Sequence, residues 1–293
     1  FALMQSGLFS EMVLIDVDKD RAEGEAMDIS HGASFAGPMK IYAGGYEDVG
    51  DASIIVITAG ANQKPNETRL DLVQKNAKIM TDVVTQIKEQ EYKGILLIVS
   101  NPVDIMTQVA MEVSGFPEHR VFGSGTVLDS ARLRYHLGQH LRVDSRSVHA
   151  FVIGEHGDSE IAAWSSANVS GVPLNSFCEM RGHFNHEGNT ESIEEQVKNS
   201  AYEIIAKKDA TYYGIAMVVK RICQAIVRDE KSIFPISLRM HGEYALEDVV
   251  LSMPAIVGAR GIETTIPISL DEKEVSSLHE SAEMLRETRK EIR

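Results

Sequence analysis

The stretches DASIIVITAGA (51–61) and GILLIVSNPVD (94–104) each hold an unbroken block of apolar residues. A strand with one wet face alternates apolar and polar residues. These blocks do not alternate, so both faces must be buried. EMVLIDVD (11–18) and the shorter RVFGSG (120–125) read the same way. Between the two long runs lies RLDLVQKNAKIMTDVVTQIKEQ (69–90). Its Leu70, Val73, Ala77, Met80, Val84 and Ile87 recur at helical spacing. Buried strands alternating with helices predict an α/β fold, a Rossmann-type doubly wound parallel sheet.

Beyond about residue 124 the pattern changes. HAFVIGEHGD reads as a strand running into a turn, and CEMRGHFNHEGNTES (178–192) as a surface loop. SIEEQVKNSAYEIIAKK and the stretch from Thr211 to Arg228 read as helices. DEKEVSSLHESAEMLRETRKEIR reads as an amphipathic helix with Val275, Leu278, Ala282, Leu285 and Ile292 on one stripe. The expectation is therefore two domains, a dinucleotide-binding one over 1–123 and an α+β substrate domain over 124–293. A chain of 293 residues is long enough for both. The net charge of -14 argues against nucleic-acid or membrane-surface partners. No apolar run approaches the ~18 residues of a membrane span. The two cysteines, Cys178 and Cys223, make no disulfide framework and point to a reducing, cytoplasmic setting. His183 and His186 raise a metal site, but the reading is none, because no complete ligand set accompanies them.

Asp16 closes the first apolar run. An acid at the end of the second strand of a dinucleotide fold binds the ribose hydroxyls of NAD and repels the extra phosphate of NADP. The matching glycine-rich loop belongs ~20 residues upstream. Only 15 residues precede Asp16, with one glycine, Gly7. The expectation is that the loop and the first strand lie ahead of Phe1, and that residues 1–7 end the helix that follows them. A nucleotide-kinase reading fails because the chain has no GxxxxGK[ST] loop.

GEHGDSE (154–160) sets His156 among glycines and acids. A histidine that moves protons needs a carboxylate to orient it and favour its charged form. In LDSARLR, Asp129 and Arg132 are three residues apart and share one helix face. Such an acid can hold the imidazole, and such a guanidinium can clamp a substrate carboxylate with two hydrogen bonds. Arg134 lies about 200° round the helix from Arg132 and points elsewhere. A further cation, Arg69, closes the strand-to-helix loop GANQKPNETRL (60–70). A loop that brings an arginine over a carbonyl polarises it and excludes water.

Taken together and in this order, GEHGD, LDSAR, SNPVD and TAGANQKPNETRLDLVQKN resemble the bacterial L-lactate dehydrogenases of the lactate/malate dehydrogenase superfamily. The resemblance runs from Phe1 to Arg293. It implies that His156 is the general acid/base, Asp129 orients it, Arg132 binds the substrate carboxylate and Arg69 polarises the ketone. It implies that Asn101 meets both cofactor and substrate, and that Thr211 lines the substrate pocket. Asp16, Arg21, Tyr46, Gly60, Ala61, Ser100 and Ser124 would lie on the cofactor, NAD. It also implies a homotetramer. Arg134 and His149 resemble positions where allosteric members bind fructose 1,6-bisphosphate.

Gln63 carries the choice of substrate. Malate dehydrogenases of the superfamily place an arginine there to meet a second carboxylate. A neutral Gln63 would leave that charge buried and unpaired, at a cost of about 3–5 kcal/mol, so pyruvate and L-lactate are the expected pair. Malate dehydrogenase, a branched 2-hydroxy acid dehydrogenase and an inactive fragment acting as a binding partner are the alternatives. Two residues depart from the family pattern: Asn66, where such loops often carry glycine, and Asp209, where glycine usually precedes ATYYG. Both types tolerate left-handed backbone better than most residues.

Overall fold

A computed structural model of the chain describes residues 1–61 and 68–292. After a 3-10 turn at Met4–Ser6, where a helix end was expected, β1 (Glu11–Leu14) leads into α1 (Lys19–Gly32). The Asp18 side chain caps α1 by accepting the Arg21 N–H. The helix returns the chain to β2 (Lys40–Ala43), parallel to β1. Next come β3 (Ile54–Ile57), α2 (Arg69–Glu89), β4 (Ile95–Ile98), α3 (Val103–Ser114) and β5 (Val121–Gly123). β3, β4 and β5 are parallel neighbours. All four residues of β4 are buried, as its unbroken apolar run requires. The spacing read in α2 holds: Val73, Ala77, Met80, Val84 and Ile87 face the core and Leu70 is half-buried.

The second half begins with α4 (Val127–Leu141) and the short strands β6 (Val148–His149) and β7 (Val152–Ile153). HAFVIGEHGD is thus not one strand. β6 pairs with β9 (Asn168–Val169), which pairs with β10 (Val172–Pro173), whereas β7 pairs with β8 (Ile161–Ala162). His149 and His156 therefore do not share a strand, contrary to expectation. The expected loop over 178–192 also shrinks. α5 (Leu174–Met180) runs into it, and α6 (His186–Lys208) starts inside it with Asn185 as cap. Its polar residues misled because they coat helix ends. Leu174 and Cys178 of α5 and Ile193 and Val197 of α6 pack with Leu133 and Leu137 of α4 in a second core.

α7 (Tyr213–Val227) is followed by β11 (Ser232–His241), β12 (Glu247–Gly258) and β13 (Gly261–Thr265), and α8 (Glu272–Glu291) closes the fold. β11, β12 and β13 are antiparallel, and β11 joins β5 through one pair, Ser237 with Gly123. The six-stranded sheet, in the order β13-β12-β11-β5-β4-β3, is therefore mixed rather than wholly parallel. β1 and β2 form a separate pair among the described residues. Gly123 has its reason here, because a Cβ would stand 2.8 Å from that of Ser237. In α8, Leu278, Ala282 and Leu285 are buried as expected, and Ile292 lies past the helix end. No helix among the described residues is long and apolar enough to cross a membrane.

Candidate active site

Parallel strands deliver the cofactor-side candidates at their carboxyl ends. Asp16 follows β1, Tyr46 follows β2, Gly60 and Ala61 follow β3, Ser100 and Asn101 follow β4, and Ser124 follows β5. Ligands of open α/β sheets bind at this edge. The Ser100 hydroxyl donates to the carbonyls of Ala59 at 2.6 Å and Ile57 at 3.2 Å, fixing the ends of β3 and β4 together. Asn76 of α2 was missed in the sequence and makes the next tie. Its Oδ1 accepts from the Ala61 N–H at 2.8 Å, and its Nδ2 donates to the Asn101 carbonyl at 2.9 Å. It sat unremarked on an otherwise amphipathic helix, where a lone polar residue carries no signal.

The residues present suit an adenine dinucleotide. Asp16 is exposed, with one carboxylate oxygen accepting the Asp18 N–H, which leaves the other for hydroxyl donors. Gly60 is exposed at the end of β3. Arg21, on the first turn of α1, is exposed.

The proton machinery lies where α4 meets the turn after β7. Chain direction changes sharply before α4. Gly125 takes φ +50°, and a Cβ there would stand 2.6 Å from the Ser237 nitrogen. The Thr126 hydroxyl then donates to the Val152 carbonyl at 2.5 Å and locks α4 to β7. This brings Asp129 to His156, with Nδ1 and Oδ2 2.6 Å apart. The other oxygen of Asp129 accepts from Arg132 at 2.7 Å. The side chain of Asp129 is 3% exposed, those of Arg132 and His156 13% and 27%. The pair is thus dry on its acid side and open on the imidazole side.

Burial alone would lower the proton affinity of His156. The charge and hydrogen bond of Asp129 outweigh it, Asp104 and Glu160 add to that, and the imidazole is pushed up to about 9. Burial works in the opposite sense on Asp129, but His156 and Arg132 hold its carboxyl below the usual range. Glu160 was also missed. It is buried close by, and burial together with the Asp129 charge pushes it up to about 8, so it is neutral at pH 7. Asp129, His156 and Glu160 present ligand-type atoms within 4.8 Å of one another. The Arg132 guanidinium already pairs with Asp129 and opposes a second cation beside it.

Among the described residues, no hydrogen bond or ion pair joins the remaining candidates to His156. Thr211, where a helix was expected to start, is half-buried in the segment between α6 and α7, and the helix begins at Tyr213. Beside it Asp209 does take left-handed backbone, φ +68°, as the cap of α6. Gln63 and Asn66 lie outside the described residues. So does the Arg69 side chain, though its backbone opens α2 beneath a capping box of Thr68 and Asp71. Arg134 is half-buried on α4, and His149 is exposed on β6.

The profile of the lactate/malate dehydrogenase NAD binding domain matches residues 1–123, and that of the family's alpha/beta C-terminal domain matches 126–293. The chain belongs to the lactate/malate dehydrogenase family. Within that family it is 48% identical to an L-lactate dehydrogenase of Acetivibrio thermocellus, over 98% of this chain and 90% of the relative. It is 47% identical to an L-lactate dehydrogenase of Thermoanaerobacter pseudethanolicus, over 100% and 94%. A solved lactate dehydrogenase from a Medee basin deep-sea metagenome library superimposes with a TM-score of 0.95 at 46% identity, covering 99% of this chain and 93% of that one. The minor L-lactate dehydrogenase of Enterococcus mundtii, 40% identical, superimposes at 0.95 in its ligands-bound form, covering 100% and 95%. The chain is thus an NAD-dependent dehydrogenase of this family.

Proposed function

We propose that the chain reversibly reduces pyruvate to L-lactate with NADH. The observation that carries this reading is the chain of contacts from Arg132 through Asp129 to His156. Bound NADH would supply a hydride to the carbonyl carbon. His156 gives its Nε2 proton to the carbonyl oxygen, so the ketone becomes a secondary alcohol and the imidazole is left neutral. In reverse, neutral His156 takes the hydroxyl proton. Asp129 fixes the Nδ1–H tautomer and stabilises the charged ring. Arg132 grips the substrate carboxylate, Arg69 polarises the ketone, Asn101 and Thr211 line the substrate, and Gln63 selects a methyl group over a second carboxylate. Asp16, Arg21, Tyr46, Gly60, Ala61, Ser100, Asn101 and Ser124 hold NAD. The names of the relatives, L-lactate dehydrogenases at 47–48% identity, support lactate over malate.

The finer points belong to the same reading. The boundary between cofactor and substrate domains is set at 123/124. The enzyme is a cytoplasmic homotetramer, and fructose 1,6-bisphosphate binds Arg134 and His149. Arg134 supports this, being a half-buried guanidinium with no ion pair among the described residues. The test is NADH consumption with pyruvate, oxaloacetate and a branched 2-oxo acid. Pyruvate should give the largest kcat/KM, and His156→Asn should lower it by about 10²–10⁴. A preference for oxaloacetate, or an undiminished variant, refutes the assignment.

A further inference from the structure

Asp104 stands on the first turn of α3 and is 1% exposed, yet the scheme above gives it nothing to do. Its Oδ2 accepts the main-chain N–H of His156 at 2.7 Å. Its Oδ1 accepts from the Ser237 hydroxyl of β11 at 2.6 Å and, more weakly, from Ser252 of β12 at 3.4 Å. No lysine or arginine pairs with it among the described residues. A buried carboxylate without a cation is expensive, and burial pushes its carboxyl up to about 6 against the pull of Ser237 and the His156 N–H. A neutral asparagine could still accept the His156 N–H and donate in turn to the Ser237 oxygen, with no buried charge. The charge therefore calls for an explanation beyond tying elements together, and the positive group it faces is the imidazole.

We propose that Asp104 is a positioning residue for His156: it anchors the histidine main chain to α3 and supplies a second negative charge that keeps the imidazole protonated. This rests on the reading of His156 as the acid/base. His156 is then held at two points, the ring by Asp129 of α4 and the backbone by Asp104 of α3. Asp104 lies three residues after Asn101, so the turn that ends β4 carries both a proposed substrate contact and the clamp. Among the described residues, the other titratable groups acting on the ring or its acids are Arg132 from α4, Glu160 and Glu155 from its own turn, and Lys198 from α6, which acts on Glu160.

Asp104→Asn tests the charge while keeping the shape. Its Oδ1 can accept from His156 and its Nδ2 can donate to the Ser237 oxygen. The imidazole pKa of His156 is read by NMR titration, with His156→Gln to assign the signal. It should fall by about 0.5–1 pH unit, the effect of removing one nearby charge. The alkaline limb of pyruvate reduction and the acid limb of lactate oxidation should move down with it, which loss of structure alone would not produce. If the NMR shift occurs but the wild type reduces no pyruvate, the functional reading fails and the positioning role stands. If the wild type is active and neither the signal nor the limbs move, the positioning role fails. Should the variant not fold, the wild type gives the answer. The His156 main-chain amide signal should titrate as its acceptor Asp104 protonates around pH 6, and a signal flat through that range overturns the proposal.

Discussion

Asp129→Asn removes the charge on which the proposed chemistry depends. In the native arrangement the imidazole stands at about 9 against its ordinary 6.5. That gap is worth about 3 kcal/mol of preference for the charged ring. With a neutral amide at 129 the burial penalty remains and its counterweight goes. The ring then titrates at or below 6.5, and at pH 7 no more than about a quarter of it is charged. Lost protonation accounts for a drop of at least about fourfold in pyruvate reduction. The remainder is orientation, because an asparagine amide can also donate to Nδ1 and leave a neutral ring, a far weaker acid. Arg132 loses its anchor as well. The combined expectation is a fall of about 10²–10⁴ in kcat/KM for pyruvate. The alkaline limb of the pH profile should shift down by 2 pH units or more, on the order of the gap itself. Stability follows the same sign. A raised histidine pKa stabilises the fold below about 6.5, and the contribution is lost as pH rises through about 9. The stability lost on substitution should therefore shrink across that window. The assay is NADH absorbance at saturating cofactor over a pH series, with thermal melts at the same values. Activity within about threefold of wild type together with an unmoved alkaline limb would refute the reasoning.

Arg132→Lys should chiefly raise KM for pyruvate, since a point charge cannot replace the two-pronged guanidinium, and a KM unchanged beside a lower kcat would place Arg132 away from the substrate carboxylate. Gln63→Arg should move the ratio of kcat/KM values from pyruvate towards oxaloacetate; an unchanged ratio means position 63 does not meet the substrate. Gly125→Ala should destabilise the fold by more than about 1 kcal/mol, because the new methyl meets the Ser237 nitrogen at 2.6 Å on a left-handed backbone, and denaturant unfolding measures it. Fructose 1,6-bisphosphate should lower the pyruvate half-saturation, and Arg134→Gln should abolish the effect; a wild-type half-saturation indifferent to the sugar phosphate removes the site.

The parallel half of the fold was legible from its unbroken apolar runs, although only β4 and β5 are buried throughout and β1 and β3 are largely half-buried. The apolar runs ending at Leu14, Ile57, Ile98 and Gly123 mark real strands. β2 was not legible, since its KIYA has a lysine at the edge and half-buried residues beyond it. SIFPISLRMH and EDVVLSMPAIVG were not legible either, although they form the longest strands. Serines and prolines interrupt their apolar pattern, and the serines face inward for a reason that local sequence cannot show. Ser237 and Ser252 are buried because Asp104, more than a hundred residues earlier, needs their hydroxyls. The pair Asp129 and Arg132 could be read from helix spacing alone. Glu160 could be named as part of GEHGDSE, but its burial and neutrality arise from packing that no spacing predicts.

The site's polar groups share a common logic. Two acids, Asp129 and Asp104, reach the histidine from two helices that follow neighbouring strands, β5 and β4. One guanidinium offsets one acid, and the ring itself answers the other. The third carboxyl, Glu160, stays neutral near pH 7 because burial, and after it the Asp129 charge, raises it to about 8. A proton added to the ring is therefore welcomed by two fixed charges, and a proton lost leaves them without their partner. A base of this strength resists acting as an acid until something nearby lowers the proton's hold. A substrate carboxylate beside Arg132 would weaken that residue's grip on Asp129, and a closing arginine such as Arg69 would add positive charge over the carbonyl. In the proposed mechanism the chain alone would store the proton, and His156 would release it once substrate sits beside Arg132.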